Sequence, residues 1–90
     1  MPELTDNTSR SRFEWVEDGK LAFADYTLSA GVLVIPHVET DPALRGQGVA
    51  GRLMESVLDL ARQRGLKVRP ICSYAVAYIL RHPQYQDLLE

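Results

Sequence analysis

The spacing of the apolar residues changes once along this chain, near residue 40, and that change constrains the fold more than any other feature. Between Arg12 and Thr40, apolar and polar residues largely alternate, as they do in β-strands with one buried face. From Gly48 to Gly65, apolar residues recur at the spacing of an amphipathic helix. A chain that is first strand-like and then helical predicts an α/β protein in which helices pack on a sheet.

Turn residues divide the strand-like part into three predicted strands. Asp18-Gly19 is a strong hairpin signal, and a second turn ends at Gly31. Short turns between successive strands predict an antiparallel meander. The predicted strands cover residues 12–17, 20–28 and 32–40. Because Pro36 cannot donate a hydrogen bond, we expect the third strand to be distorted there or unpaired on one side.

The helical part predicts a crossover helix, a fourth strand over Leu66–Ile71 and a C-terminal helix that Pro83 limits. A strand that follows a crossover helix is expected to run parallel to the strand before it. The predicted order is therefore β-β-β-α-β-α, an α/β sandwich with a mixed sheet. Residues 1–9 are polar and are expected to be flexible, and residues 10–90 are expected to form one domain.

Length and composition limit the classes of function. Ninety residues provide one hydrophobic core, and a net charge of -2 gives no general reason to expect nucleic acid or a membrane as a partner. The single cysteine, Cys72, excludes an intrachain disulfide and a multi-cysteine zinc site, and we expect no bound metal. With no signal-peptide pattern at the N-terminus, we expect a cytoplasmic protein, and a monomer rather than a weak dimer.

A glycine-rich stretch, "RGQGVAG" from Arg45 to Gly51, lies where strand-like spacing gives way to helical spacing. Glycines at a helix N-terminus let backbone N–H groups approach a diphosphate. The dinucleotide-binding fingerprint is disfavoured, because it expects an acidic residue about 20 positions later, and the chain has none between Asp59 and Asp87. Spacing alone leaves two alternatives open, another diphosphate-binding loop and a simple tight turn.

Two segments together, "HVETDPALRGQGVAGRL" and "PICSYAVAYILRHPQY", resemble the small single-domain branch of the GNAT superfamily, the acetyl-CoA-dependent N-acetyltransferases. The resemblance covers roughly Phe13 to Tyr85. It implies a minimal GNAT-like fold, acetyl-CoA as the cofactor and an amine, on a small molecule or a protein, as the acetyl acceptor. It does not identify that amine, because the chain has no room for the N-terminal helices that shape the acceptor site in larger members.

The resemblance also implies where acetyl-CoA binds. The glycine-rich loop would hold the diphosphate through its backbone, and the end of the third strand would pair with the pantetheine arm in a V-shaped opening beside the fourth strand. At that strand end, valine and threonine are exchanged relative to the commoner order. The residues implied are Val38, Thr40, Arg45, Gly46, Gln47, Gly48, Val49 and Ala50.

Acetyl transfer to an amine needs a base, and an acid for the departing thiolate. Glu39 is the candidate base, and His37 is a second candidate if the strand is regular beyond Pro36. Tyr74 or Tyr78 is the candidate acid. The alternatives for these residues are a solvated carboxylate, a structural histidine and packing tyrosines.

Cys72 leaves three interpretations open: a small buried side chain, a side chain that lines the acetyl pocket, and a nucleophile that carries the acetyl group. We expect direct transfer without a covalent intermediate. The whole chain likewise leaves two alternatives to an enzyme, a non-catalytic acyl-CoA-binding module and an interaction domain without a ligand.

Other side chains are assigned to structure. Phe13, Trp15 and Phe23 are expected in the core, and His82 is expected to interact with the end of a helix. A basic cluster is interpreted as a solvated face or, alternatively, as a contact for an acidic partner. Its members are Arg62, Arg64, Lys67 and Arg69.

Overall fold

The structure, a computed structural model, describes residues 4–90 of the chain. Its strands are β1 (Leu4–Asn7), β2 (Arg12–Glu17), β3 (Lys20–Ser29), β4 (Val32–Thr40) and β5 (Lys67–Pro70). Its α-helices are α1 (Val49–Gln63) and α2 (Ser73–Arg81), and two 3-10 helices cover Pro42–Leu44 and Pro83–Leu88. None of the helices in this range has the length and apolar character needed to cross a membrane.

The five strands form one sheet in the order β1-β2-β3-β4-β5. Neighbouring strands from β1 to β4 pair antiparallel, as short turns between successive strands require. β5 pairs parallel with β4 after the α1 crossover. The predicted α/β class, the meander, the crossover helix and the parallel strand are therefore confirmed.

The first strand was not predicted. Residues 1–9 were expected to be flexible, but Leu4–Asn7 pair with β2, so that expectation is wrong for β1. Besides the ladder with β2, Leu4 packs against the core, and the Tyr26 hydroxyl and the Arg64 guanidinium both donate to Asp6, at 2.6 and 3.4 Å. The prediction for residues 1–3 lies outside the described residues.

The core lies between one face of the sheet and the helices. Phe13 and Trp15 are buried on this face, as predicted, and each is paired with a small buried alanine of β3. Phe23 does not belong to the core, because β3 alternates and Phe23 is paired with Glu14 and Glu39 on the opposite face. None of the described strand residues on that opposite face is buried.

A β-bulge in β4 changes which side chains face the core. Asp25 is paired with His37 and Thr27 with Val34, so two residues of β4, Ile35 and Pro36, oppose the single residue Tyr26. The extra residue reverses the alternation. Before the bulge the odd-numbered residues of β4 face the core, and after it the even-numbered ones do.

The edge of β4 beyond the bulge has no partner strand on the β5 side among the described residues. Pairing with β5 ends at Ile35, where the backbone N–H groups of Ile71 and Cys72 both donate to the Ile35 carbonyl, at 3.0 and 3.2 Å. The chain then turns into α2. The expected distortion at Pro36 and the loss of pairing on one side are both present.

Candidate active site

The glycine-rich loop adopts a conformation that its glycines make possible. Gly46 and Gly48 have φ values of 81° and 76°, in the left-handed region that residues with a Cβ avoid. Gly48 is the N-cap of α1, and no side chain in residues 4–90 caps this helix. Since Arg52 N–H is the first to bond within the helix, the N–H groups of 49–51 have no intrahelical acceptor. They form the positive end of the helix dipole.

Side chains outside the motif hold the loop in place. The Arg52 guanidinium donates to the Gln47 carbonyl at 3.1 Å and to the Glu17 carboxylate at 2.7 Å, which connects the loop to the sheet. The Gln47 side chain donates to the Ala43 carbonyl at 2.9 Å. Hydrogen bonds from Trp15 and Arg52 hold the pKa of Glu17 below its ordinary value, so this anchor is charged at neutral pH.

The loop opens onto a cavity of about 250 Å³ above the N-terminus of α1. Six of the predicted cofactor-binding residues line it: Thr40, Arg45, Gly46, Gly48, Val49 and Ala50. Leu44, Gly51 and Tyr74 complete the lining. Arg45 has no carboxylate within salt-bridge distance in residues 4–90, so its charge is available to an anion.

A second cavity, of about 350 Å³, follows the unpaired edge of β4. His37, Val38 and Glu39 line it, together with four residues that also line the first cavity. These four are Thr40, Arg45, Ala50 and Tyr74. The two cavities therefore form one groove, which extends from the glycine-rich loop along β4.

The two candidate bases lie close together at the rim of this groove. The His37 Nε2 atom is 3.9 Å from the Glu39 carboxylate, and each side chain is more than half exposed. They share a face because β4 is regular beyond Pro36. Both groups can therefore reach a solvated amine or a water molecule.

The two tyrosines of α2 differ in their access to the groove. Tyr74 is 38% exposed and its hydroxyl lies over the first turn of α1, 3.9 Å from where a Cβ on Gly51 would lie. Burial raises the pKa of Tyr74, and the nearby Arg81 charge partly opposes this shift. Tyr78 is buried and stacks on His82 with 3.9 Å between ring centroids. Tyr74 is thus the tyrosine that can meet a ligand.

Two predicted site residues lie apart from the groove lining. The Gln47 side chain points back to Ala43, as described, and contributes only its backbone to the loop. Cys72 is the N-cap of α2 and packs partly buried against the core. Its side chain is not among those that line the two cavities of the groove.

The remaining assignments from sequence have structural explanations. His82 Nδ1 lies 2.7 Å from the Tyr78 carbonyl, so it interacts with the end of α2 as expected. The members of the basic cluster are paired within the chain. Arg62 binds Asp87, Arg64 binds Asp6, Lys67 donates to the Asp87 carbonyl, and Arg69 binds Glu90.

Sequence reasoning missed three residues of the site. Leu44 and Gly51 line the first cavity, and a Cβ on Gly51 would be in ordinary contact with the Tyr74 hydroxyl, at 3.9 Å. Gly51 is the third glycine of the stretch "RGQGVAG", and this position could have been used to predict that it lines the cavity. Arg52 had no signal, because its partner Glu17 lies 35 positions earlier in the chain.

Comparison with known proteins places this geometry in a family. A sequence model described as GCN5-related N-acetyltransferase matches residues 12–88. The NMR solution structure of a GCN5-like candidate N-acetyltransferase from Staphylococcus aureus superimposes with a TM-score of 0.77 at 27% identity. The match covers 98% of this chain and 87% of that one. No curated protein matches the chain. The chain belongs to the GCN5-related N-acetyltransferase family.

Proposed function

We propose that the protein binds acetyl-CoA in the groove and transfers the acetyl group directly to an amine. One observation carries this proposal: a single groove joins the glycine-rich loop, the unpaired edge of β4 and three candidate catalytic side chains. Those side chains are His37, Glu39 and Tyr74. An interaction domain without a ligand would not need such an arrangement.

The residues present fit acetyl-CoA. The N–H groups at the start of α1 and the Arg45 guanidinium are donors for a diphosphate. A Cβ on Gly46 would point into open space, so the loop leaves its backbone accessible there. The unpaired backbone of Val38 to Thr40 can hydrogen-bond the amides of a pantetheine arm as a neighbouring strand would. When bound, acetyl-CoA supplies an activated acetyl thioester.

Glu39 takes the role of base in this proposal. Its carboxylate is half exposed and lines the groove, so it can accept the proton that the amine loses, directly or through water. His37 lies 3.9 Å from it, beyond direct hydrogen-bond distance, and is the second candidate base at the same rim of the groove. Proximity of the two bound substrates supplies much of the remaining rate.

Tyr74 takes the role of acid. The Tyr74 hydroxyl is protonated at neutral pH, as that of an ordinary tyrosine also is, so it holds a proton that a leaving thiolate can accept. Its position between the loop and β4 lies along the groove rather than at one end. Tyr78 is packed against His82, which makes it a structural residue instead.

Calorimetry with CoA, followed by a thiol-release assay with acetyl-CoA over a panel of amines, tests the proposal. We expect CoA to bind and thiol release to depend on the amine. If CoA addition gives no heat, the remaining interpretation is an interaction domain without a ligand. If CoA binds but no amine causes thiol release, the remaining interpretation is a non-catalytic acyl-CoA-binding module. The family supports an enzyme over that module.

A substitution at the base sharpens this test. Glu39→Gln should lower turnover by about a hundredfold and change the Michaelis constant little, because a general base acts in the transition state. CoA affinity, measured by calorimetry, should be unchanged. Equal turnover of the two proteins would remove Glu39 from the mechanism.

A further inference from the structure

We propose that the acetyl acceptor is an aliphatic diamine, bound in a third cavity on the uncovered face of the sheet. This inference rests on the function proposed above and identifies the substrate class for the same site. The cavity measures about 360 Å³ and lies between the start of β3 and the segment that follows β4. It shares Glu39, Thr40 and Arg45 with the β4-edge cavity, so a molecule bound here reaches the candidate base.

The walls of this cavity suit a methylene chain. Leu21, Phe23 and Pro42 form its apolar part. The Arg12 guanidinium covers one face of the Phe23 ring at 3.8 Å from the centroid, and Asp25 binds that guanidinium at 3.2 Å. An apolar wall of this kind favours an alkyl chain that has no polar group between its ends.

The backbone fixes the relative positions of these walls. Phe23 is directly opposite Glu39 in the β3–β4 ladder. Two residues beyond Glu39, the Asp41 N–H donates to the Leu21 carbonyl at 2.9 Å, so Leu21 and Asp41 are also held together. The two apolar side chains of β3 therefore each stand beside a carboxylate of the β4 end.

The two carboxylates set the charge that the cavity selects. Glu39 and Asp41 are two residues apart on an extended chain, which separates their Cα atoms by about 7 Å. An extended diamine of four or five carbon atoms has a similar length. One Asp41 oxygen accepts from the Ala43 N–H at 2.9 Å, and the other has no partner in residues 4–90. The reacting amine would lie at Glu39 and the distal ammonium at Asp41.

One positive charge also borders the third cavity, that of the Arg45 guanidinium. In the proposed complex the diphosphate compensates this charge, so it does not oppose the binding of a diamine. With Arg45 compensated, two carboxylates face the ligand, which favours two ammonium groups over one. An amine that carries a carboxylate at its distal end would meet Asp41 with like charge.

Three probes of equal chain length separate these cases: 1,4-diaminobutane, 1-aminobutane and 4-aminobutanoate. Their distal groups are positive, neutral and negative. Binding is measured by NMR titration of the amide signals of 21–23 and 39–41, with and without CoA, so that it does not depend on acetyl transfer. With CoA bound, we expect 1,4-diaminobutane to bind about two- to fivefold more tightly than 1-aminobutane, the range of a partly exposed ion pair, and 4-aminobutanoate to bind most weakly.

Asp41→Asn tests the role of the distal carboxylate. Asparagine keeps an oxygen for the Ala43 N–H and removes only the charge, so the fold is preserved and the preference for the diamine should disappear. Asp18→Asn is the matched control. It removes the same charge at the β2–β3 turn, where Asn-Gly is an equally good hairpin sequence, and it should keep the preference.

The outcomes distinguish this inference from the proposed function. Equal binding of the three probes, shifts confined to other signals, or an unchanged preference in Asp41→Asn would overturn the diamine site even if other amines are acetylated. If Asp18→Asn also loses the preference for the diamine, that preference is an effect of the protein's net charge, and the diamine site is overturned as well. Selective diamine binding without acetyl transfer to any amine would support the site and contradict the proposed function.

Discussion

At the scale of single residues, the sequence predicted backbone-determined features better than side-chain contacts. Gly46 and Gly48 could be assigned to a loop because a left-handed backbone leaves glycine few substitutes. Phe23 was misassigned because aromatic residues are usually buried, and only its register with Glu39 shows that it lies on the other face. Arg52 could not be found, since a salt bridge over 35 positions leaves no local pattern.

The glycine at position 48 should be needed for ligand binding as well as for stability. In Gly48→Ala, the left-handed φ costs about 1 kcal/mol, and the new Cβ would lie 3.3 Å from Arg52 Nη1, which disturbs the anchor of the loop. We expect a folded variant with CoA affinity at least tenfold weaker by calorimetry.

Gly19→Ala is the control for this substitution. Gly19 has a φ of 71°, and apart from its chain neighbours no atom of residues 4–90 lies within 4 Å of where its Cβ would be, so it carries a similar backbone cost away from the groove. The control should lose similar stability in urea unfolding and bind CoA as the wild type does. Equal loss of CoA affinity in both variants would show that destabilisation alone explains the effect.

Cys72 should be dispensable for chemistry. Its side chain packs against the core and is not part of the groove lining, so a covalent acetyl-cysteine has no geometric support. Cys72→Ser should keep most of the activity, and double-reciprocal plots for the wild type should intersect. Parallel lines together with an inactive serine variant would instead establish a ping-pong route through the thiolate.

At the scale of elements, helices and turns were easier to predict than strand pairing. The amphipathic spacing of α1 and the Asp18-Gly19 hairpin are local signals. β1 pairs with the next strand across a short turn, but its sequence LTDN has a single apolar residue, so it shows no alternation that predicts a strand. Pro36 was enough to predict that β4 is distorted. Which face the following side chains occupy could be read only from the register of the β3–β4 ladder.

The contact between the C-terminal 3-10 helix and α1 should weaken in acid. Arg62 binds both oxygens of Asp87 and the Gln84 carbonyl, and this pairing lowers the pKa of Asp87. A lowered pKa stabilises the fold above the ordinary carboxyl pKa of 3.8, and the stabilisation is lost as pH falls through the folded value.

Urea unfolding of the wild type and Arg62→Met at neutral and acidic pH checks this expectation. The wild type should be more stable at neutral pH, and the difference should shrink as Asp87 becomes protonated, leaving the contribution of the Arg62 bond to the Gln84 carbonyl. Asp87→Asn, alone and combined with Arg62→Met, isolates the pair through a double-mutant cycle. A stability difference that stays constant from neutral to acidic pH would exclude Asp87 as its source.

At the scale of the whole molecule, the layer order was predictable and the groove was not. Alternating spacing, a crossover helix and a parallel fourth strand leave few topologies. The groove depends on where β5 stops pairing with β4, at Ile35, and on the meeting of β4, the loop and Tyr74. Those are relations between distant segments, for which the family resemblance rather than the spacing supplied the expectation.

The domain should lose stability in strong alkali. Burial and the hydrogen bond to Asp6 raise the pKa of Tyr26 to about 12, above its ordinary value of 10.0. The folded state therefore holds this proton where the unfolded chain has lost it, so the stabilisation is complete below the ordinary value and falls between the two. Chemical unfolding followed across that interval should show a decline, and Tyr26→Phe should make it shallower. An identical decline in the variant would mean that other tyrosines carry it.

The bulge at Ile35–Pro36 determines which side chains of the following part of β4 face outward. With the extra residue bulged out of the ladder, His37 and Glu39 point outward, whereas regular pairing of every residue of β4 would turn both towards the core. Deleting Pro36 would remove the bulge and restore regular alternation from Ile35, so both side chains would still point outward. A related chain that lacks this residue can thus keep the site, whereas one that keeps the residue but pairs it regularly would lose the site with every site residue still in its sequence.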